Sequence, residues 1–220
     1  MNNIDFNTLI QIISSLMEGL IVTLRIAIIS VIFSITGGMI LGIIMNSKNI
    51  FIKIITKTYL ECFRIIPIIV WLFIFFFWIP MGTGINITGE IAAVLVFSLW
   101  GTAEMGDIVR GAIQSLPKVQ LDSAESLGLN KLQIYRYVLL PQALKRIMPA
   151  GINLITRIVK TTSLVVLIGV VDIVKRGQQI IERTKDAFLV YAIIFLIYFI
   201  ICFPLSYYSK KLEKLNEISE

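Results

Sequence analysis

Ionisable side chains inside long apolar blocks are the residues of this sequence that could do chemistry. Glu104 and Asp107 lie three residues apart in one block, Arg157 and Lys160 lie three apart in another, and Arg64 stands near the start of a third. Residues three apart on a helix share a face, so each pair would present two charges in one direction. Because charges within apolar segments are costly and usually functional, we expect these faces to point into a helical bundle.

Other chemistries are disfavoured by what the sequence lacks. It contains no histidine, and its two cysteines, Cys62 and Cys202, lie in or against apolar runs. These absences argue against histidine acid/base chemistry, a thiolate metal site and a disulfide framework. No GxxxxGK[ST] phosphate-binding loop occurs either. The sequence therefore predicts no catalytic residue, metal site or cofactor site, and any work that needs ATP would fall to another chain.

The elements that hold these residues are predicted to be membrane-spanning helices. Of the 220 residues, 57% are hydrophobic and only 15% are charged, which is typical of a chain solvated mostly by lipid. Three uncharged runs, 26–47, 65–89 and 187–209, exceed the roughly 20 residues that cross a hydrocarbon core. Two further blocks carry the paired charges. We expect an all-α integral membrane protein with five transmembrane helices at about 19–45, 58–79, 90–112, 148–171 and 187–208.

The distribution of lysine and arginine predicts the orientation. Basic residues concentrate in the first connection, the third connection and the tail, whereas residues 1–18 contain none. The positive-inside rule then puts the amino terminus outside and the carboxy terminus in the cytoplasm. The net charge of +6 is explained by the inner leaflet, and nucleic acid is not expected as a partner. Residues 6–17 could form a separate interfacial helix or the start of a longer first span.

The polar segment between the third and fourth spans is predicted to form two helices. Pro117 can start a helix that ends at Gly128, since proline lacks only an N–H that the first turn does not use. Asn130 and Gln133 have the spacing of a reciprocal cap for the second helix, which we expect Pro141 to end. A polar loop of two short helices joined by a sharp turn, lying against the membrane, usually binds a partner protein.

This segment resembles the EAA signature of bacterial ABC importer permeases, EAA(x3)G(x9)IxLP. Residues 122–124 read DSA, Gly128 follows after three residues, and residues 138–141 read VLLP after nine more. The spacing is intact, with Asp for Glu, Ser for Ala and Val for Ile. The flanks at 110–114, Gln120 and 141–143 resemble the polar amino acid permeases of the histidine/glutamine/glutamate type. The resemblance covers about residues 19–205.

The resemblance implies a type I ABC importer permease fold in the bacterial inner membrane, with 1–220 as one membrane domain and a cytoplasmic coupling loop at about 113–147. Its partners would be a second permease subunit, two ATPase subunits that bind ATP and Mg, and an extracytoplasmic amino acid-binding protein. A short helix before the glycine would sit in a groove of the ATPase. The residues implied in this coupling are Gln120, Asp122, Ser123, Ala124, Glu125, Gly128 and Pro141.

For a permease of this kind, the charges inside the spans could belong to a substrate pathway or gate, and two roles stay open for them. They could form internal ion pairs, or they could bind the carboxylate and amine of an amino acid in transit. Glu104 stands where relatives tend to have tyrosine and favours a basic substrate, whereas Ile65, Ile66 and Trp71 favour an acidic one; we slightly prefer acidic or glutamine-like substrates. The pathway residues are Arg64, Glu104, Asp107, Arg157, Lys160 and Ser163.

Two other functions remain possible from the sequence. The cytoplasmic helix could dock a partner that is not an ATPase, which would make the chain a membrane scaffold or assembly protein. The charged layer could instead line an ion-conducting channel. Copurification of an ATPase through the 120–143 loop would separate the importer from both alternatives.

Overall fold

The described part of the chain, residues 6–218 of a computed structural model, consists of helices joined by short connections. We number eight of them in chain order. They are α1 (Phe6–Met45), α2 (Ile50–Ile65), α3 (Ile68–Thr83), α4 (Gly89–Gln114), α5 (Lys118–Ser126), α6 (Lys131–Gln133 continuing to Ile168), α7 (Ile173–Thr184) and α8 (Ala187–Ile218).

Four helical segments are long and apolar enough to cross a membrane: Leu9–Met45, Gly89–Gln114, Ile134–Ile168 and Ala187–Asn216. The pair formed by α2 and α3 meets the same test when taken together, so the described residues provide four spans, or five if the pair is one span. The all-helical membrane fold expected from the sequence is thereby confirmed.

The second span is not the continuous helix expected at 58–79. Helix α2 ends at Ile65, α3 begins at Ile68, and the two axes are bent by 99°. Pro67 lies at the break, with φ −56° and ψ 139°. Proline has no N–H to donate and disfavours helical geometry in the residue before it, so the helix stops there.

Pro141 does not end a helix, contrary to the sequence-based expectation. Helix α6 runs from Lys131–Gln133 through a π-helical stretch at Ile134–Leu139, an α-helix at Leu140–Thr161 and a 3-10 stretch at Thr162–Ile168. The wider π turn directly precedes Pro141 and accommodates a residue that cannot donate a backbone hydrogen bond. The Gln142 side chain donates to the Val138 carbonyl beside it, at 3.0 Å.

Other boundaries also exceed the expected ones. Residues 6–17 belong to the 40-residue helix α1, which settles the choice between a separate interfacial helix and a longer first helix. Helix α7 forms in the connection between the fourth and fifth expected spans, and Asp172 caps it by accepting from the Lys175 N–H at 2.8 Å. Helix α8 continues ten residues past its expected end at 208.

The chain divides into two compact units. The first unit comprises residues up to Ile32 together with Ile66–Ser98 and Thr156–Pro204. Its described residues include three apolar clusters, centred on Ile26, Leu72 and Phe97, on Leu16, Ile173 and Val190, and on Ala27, Val159 and Cys202. Burying such side chains is the main favourable contribution to packing within the unit.

The second unit comprises Phe33–Ile65, Leu99–Ile155 and the chain from Leu205 onward. Within it, α1 packs against α4 along a stripe of glycines. A Cβ at Gly38 would lie 2.3 Å from the Met105 Cβ, and a Cβ at Gly42 would lie 2.4 Å from the Val109 Cβ. Small residues let two helix backbones approach closely in a membrane. This seam fixes α4, which carries Asp107.

Candidate functional site: a charged cluster and a coupling loop

Asp107 lies at the centre of the charged cluster in the second unit. Its Oδ2 accepts a hydrogen bond from Arg64 on α2 at 2.5 Å, and its Oδ1 accepts from Arg110 Nε at 3.0 Å. Arg110 also donates to the Gln114 side chain at 2.9 Å, one turn further along α4. The Asp107 side chain is 22% exposed. Both carboxylate oxygens therefore accept from guanidinium groups in a partly desolvated position, where such bonds are strong.

The other residues predicted for the pathway lie on two helices. Glu104 is half-buried on α4, one turn before Asp107. Arg157 and Lys160 are exposed on α6 in the first unit, and the Ser163 hydroxyl donates to the Lys160 carbonyl at 2.8 Å. Of the predicted set, the structure brings Arg64 and Asp107 into direct contact.

Two ion pairs in the first unit were missed by sequence reasoning. Arg25 on α1 donates to both carboxylate oxygens of Glu90, at 2.8 and 2.6 Å, and Arg176 on α7 donates to Glu18 at 3.0 Å. Glu18, Glu90 and Arg176 also line an open cavity of about 640 Å³. The partners are separated by 65 and 158 positions in the sequence, so no local spacing could have paired them.

Asp172 was also missed, although an acid directly before a helix is a recognisable cap. It is fully buried, and one carboxylate oxygen, Oδ2, has no hydrogen-bond partner among the described residues. Burial raises its pKa to about 6, against the opposing effect of the backbone N–H groups that it accepts from. Thr23 fixes the start of α7 beside it by accepting from the Ile173 N–H at 3.2 Å.

The loop at about 113–147, for which the sequence predicts a coupling role and which we call the coupling loop, begins with the helix that the sequence predicted. Helix α5 starts after Pro117 and ends in a left-handed turn at Gly128, where φ is +77°. The Gly128 N–H donates to the Glu125 carbonyl at 2.9 Å, and the Leu129 N–H donates to the Ala124 carbonyl at 3.2 Å. These two bonds form a Schellman motif. A Cβ at Gly128 would meet nothing within 4 Å, so the backbone angle is what demands glycine there.

The cap predicted for the second helix is confirmed. The Asn130 N–H donates to the Gln133 side chain at 2.9 Å, and the Gln133 N–H donates to the Asn130 side chain at 3.0 Å. Further along α6, Arg146 donates to the carbonyl and hydroxyl oxygens of Ser115, at 2.8 and 2.6 Å. This contact joins α6 to the residue that follows α4, so the two ends of the loop are tied together.

The surface of the coupling loop combines charge with exposed apolar side chains. Asp122, Ser123 and Glu125 are exposed, Gln120 is half-buried, and Ala124 is buried against the second unit. Three large apolar side chains that a water-facing loop would normally cover are more than two-thirds exposed: Val119, Leu127 and Leu132. Exposed apolar groups rimmed by polar ones are typical of a protein interaction surface.

Comparisons with known proteins assign most of the chain to one family. Residues 38–214 match the family described as binding-protein-dependent transport system inner membrane component. A putative glutamine transport system permease protein of Rickettsia conorii is 31% identical over 199 residues, which is 90% of this chain and 91% of that protein. The arginine transport system permease protein of Bacillus subtilis is 33% identical over 217 residues, covering 96% and 97% of the two chains.

Two solved structures share the fold. A crystal structure of an amino acid ABC transporter with histidines superposes with a TM-score of 0.87 at 29% identity, covering 96% of this chain and 98% of that one. The inward-facing MetNI methionine ABC transporter gives a TM-score of 0.76 at 19% identity, over 93% and 97% of the two chains. The expected resemblance to ABC importer permeases is confirmed, and the chain belongs to the family of inner membrane components of binding-protein-dependent transport systems, as a helical permease subunit that crosses the membrane several times.

Proposed function

We propose that this chain is the permease subunit of an ABC importer that moves polar amino acids by alternating access, driven by ATP hydrolysis on partner ATPase subunits. The observation that carries the proposal is the geometry of the coupling loop. An exposed short helix ends in a left-handed glycine turn and leads directly into α6, which is continuous with a membrane span.

The exposed face of α5 suits a groove on an ATPase subunit. Asp122 and Glu125 offer carboxylates to basic or backbone donors, and Ser123 lets the helix seat closely. Val119 and Leu127 supply apolar contacts on either side of that polar face. Gln120, Ala124, Gly128 and Pro141 support the face from behind, by packing or by directing the chain into α6.

Rigid transmission is the second requirement, and the loop meets it through local bonds. The Schellman motif at Gly128 and the reciprocal cap at Asn130 and Gln133 fix both sides of the turn. The contact between Arg146 and Ser115 ties the end of the loop to its beginning. A displacement of α5 would therefore move α6 rather than dissipate in the loop.

The assembly that we propose has two permease subunits, two ATPase subunits in the cytoplasm that bind ATP and Mg, and an extracytoplasmic binding protein. Within it, 1–220 forms one membrane domain with its amino terminus outside, its tail in the cytoplasm and the coupling loop at about 113–147. Residues 1–5, which include that terminus, lie outside the described residues. The concentration of basic residues in the first connection, the coupling loop and the tail supports this orientation.

For the charged residues we propose a division of roles. Asp107 already accepts from two guanidinium groups, which supports a gate or structural role for Asp107, Arg64 and Arg110. Glu104 faces the bundle one turn away, and Arg157, Lys160 and Ser163 belong to the pathway. The relatives named for glutamine and for arginine support a polar amino acid as the substrate and do not choose between charges.

A crosslinking experiment tests the coupling role. In a background with Cys62 and Cys202 replaced by serine, Glu125→Cys should crosslink to the coexpressed ATPase subunit through a short bifunctional reagent. Lys48→Cys is the matched control, because it is on the same proposed side but outside the loop. Absence of the Glu125 crosslink in an intact complex, or equal crosslinking from the control, would contradict the docking of α5.

The substrate role of Glu104 has its own test. Glu104→Gln should lower uptake, or change which amino acids compete for it, with little change in the amount of protein in the membrane. Glu104→Asp keeps the charge and should recover part of the uptake. If abundance falls in step with uptake for the Gln variant, Glu104 is structural and the assignment to the pathway is wrong.

A further inference from the structure

Helix α2 has three distinct faces. One is buried in the second unit through Thr56, Leu60 and Phe63. A second carries the charged residues Lys53, Lys57, Glu61 and Arg64. The third is apolar and uncovered, with Phe51 73%, Ile54 56% and Ile55 68% exposed. A charged face beside an exposed apolar face is typical of a helix lying where lipid headgroups meet acyl chains.

The charged face of α2 borders a cavity of about 330 Å³. Four basic side chains line it: Lys53, Lys57 and Arg64 from α2, and Arg110 from α4. Glu61 is the one acid among the lining residues, so the lining has an excess of positive charge. Met45 and Leu60 add apolar surface. The cavity is therefore suited to an anionic group attached to an apolar body.

The positive charge of the cavity is only partly neutralised by the protein. Arg64 pairs with Asp107 through one terminal nitrogen, and Arg110 shares the same carboxylate. Lys53 and Lys57 have no acidic partner within 4 Å among the side chains that the structure describes. Two ammonium groups and the remaining guanidinium donors thus converge on one space whose lining includes a single carboxylate, that of Glu61.

We propose that this cavity binds the phosphate headgroup of an anionic phospholipid of the inner leaflet, with its acyl chains on the exposed face of α2. The proposal rests on the orientation given under the proposed function, which puts Lys48, Lys53 and Lys57 on the cytoplasmic side. Basic pockets between membrane helices on that side suit anionic headgroups. Phosphate oxygens accept from ammonium and guanidinium groups together, and the apolar face distinguishes a lipid from a soluble anion.

The test measures binding of short-chain phosphatidylglycerol to the assembled transporter by native mass spectrometry. Lys53→Gln with Lys57→Gln should weaken binding about 25-fold, at about fivefold for each lysine. Lys210→Gln with Lys211→Gln removes the same charge elsewhere on the cytoplasmic side and should change binding less than about twofold. Phosphatidylcholine should bind all three proteins alike. If the double variant fails to assemble, each single variant is expected to show its own fivefold loss.

Competition separates the possible sources of the anion. Phosphatidylglycerol should be displaced by a second anionic phospholipid and only weakly by glycerol phosphate, whereas glutamate should not displace it. Displacement by glutamate would assign the cavity to substrate and overturn the proposal, as would equal losses in the Lys210 and Lys211 control. ATP hydrolysis stimulated by the loaded binding protein, measured in the same preparations, tests the transport function independently: lipid selectivity can fail while coupling persists.

Discussion

Two carboxylates withdrawn from solvent, one in each unit, are held in opposite ways. Asp107 in the second unit accepts from the guanidinium groups of Arg64 and Arg110. Asp172 in the first unit caps α7 through one oxygen, while its other oxygen is buried without a hydrogen-bond partner among the described residues. Asp107 holds two arginine side chains in place, whereas Asp172 accepts only from backbone N–H groups and stabilises the start of a helix. The two positions should therefore respond oppositely to neutralisation.

The largest expected effect is that of Asp107→Asn. The substitution keeps the shape but leaves two arginines without their acid in a partly desolvated place, which should cost about 2–4 kcal/mol of stability. Thermal unfolding of the purified protein in detergent, together with uptake, measures it. Asp172→Asn is the matched control and should not destabilise the protein at neutral pH. Equal losses from the two substitutions would remove the distinction between the carboxylates.

Backbone packing distinguishes the units in a second way. A Cβ at Gly38 would meet the Met105 Cβ at 2.3 Å and the Gly106 backbone nitrogen at 3.1 Å, and neither atom can easily move aside. A Cβ at Gly177 would meet the tip of the Ile194 side chain at 2.4 Å, which can rotate away. We expect Gly38→Ala to cost about 1–3 kcal/mol and Gly177→Ala less than about 1.

The unfolding midpoint in detergent measures both glycine substitutions. The pair compares the same chemical change in a tightly packed helix seam and at a yielding side chain. A larger loss from Gly177→Ala than from Gly38→Ala would show that α1 and α4 do not approach as closely as the seam in the second unit requires.

The buried acid of the first unit gives a pH-dependent prediction. The pKa of Asp172 is raised to about 6, whereas an unfolded chain has an aspartate pKa of about 3.9. Between these values the folded protein binds the proton and the unfolded chain does not, so stability should fall as pH rises from about 4 to about 6 and then level off. Asp172→Asn keeps a cap acceptor and should remove that decline, gaining on the order of 2 kcal/mol at pH 7. The measurement is the unfolding midpoint of the wild type and of the Asp172→Asn variant at several pH values in this range. The same dependence on pH in both proteins would contradict the raised pKa of Asp172.

The smallest change in stability is expected from substitutions at two glycine turns, one in each unit. Gly128 in the second unit and Gly169 in the first have nearly the same left-handed φ, +77° and +78°, and open space around them. Valine at either position should cost about 1 kcal/mol through backbone strain. Only Gly128→Val should also uncouple ATP hydrolysis from uptake, because only that turn lies in the coupling loop. Gly128→Asn tolerates the left-handed angle and should retain coupling; equal uncoupling by Gly169→Val would contradict the assignment.

The parts of the structure that sequence reasoning predicted are those encoded over a few residues. The turn at Gly128 and the cap formed by Asn130 and Gln133 each depend on hydrogen bonds between groups within five positions of one another. Three of the five expected spans followed from uncharged runs, which need only composition. These features could be predicted because neighbours along the chain determine them.

The parts that could not be predicted depend on residues far apart in the sequence, or on neighbouring turns that accommodate a proline. The pair between Arg25 and Glu90 joins residues 65 positions apart. Pro67 and Pro141 look equivalent as helix breakers, yet the first ends a helix with a 99° bend and the second lies within a helix behind a π-helical stretch. A proline inside a helix removes one backbone hydrogen bond. Whether the helix ends there or continues depends on the turns around it, which can widen to accommodate the missing bond.

Helix α1 is longer than the hydrocarbon core of a membrane is thick. Its 40 residues rise about 60 Å at about 1.5 Å per residue, twice a hydrocarbon core of about 30 Å. In the proposed orientation, with Met45 near the inner edge, the outer edge is reached about 20 residues earlier, close to Arg25. In that orientation Arg25 marks the outer boundary of the hydrocarbon core. The half of α1 before Arg25 then either tilts strongly or extends beyond the core.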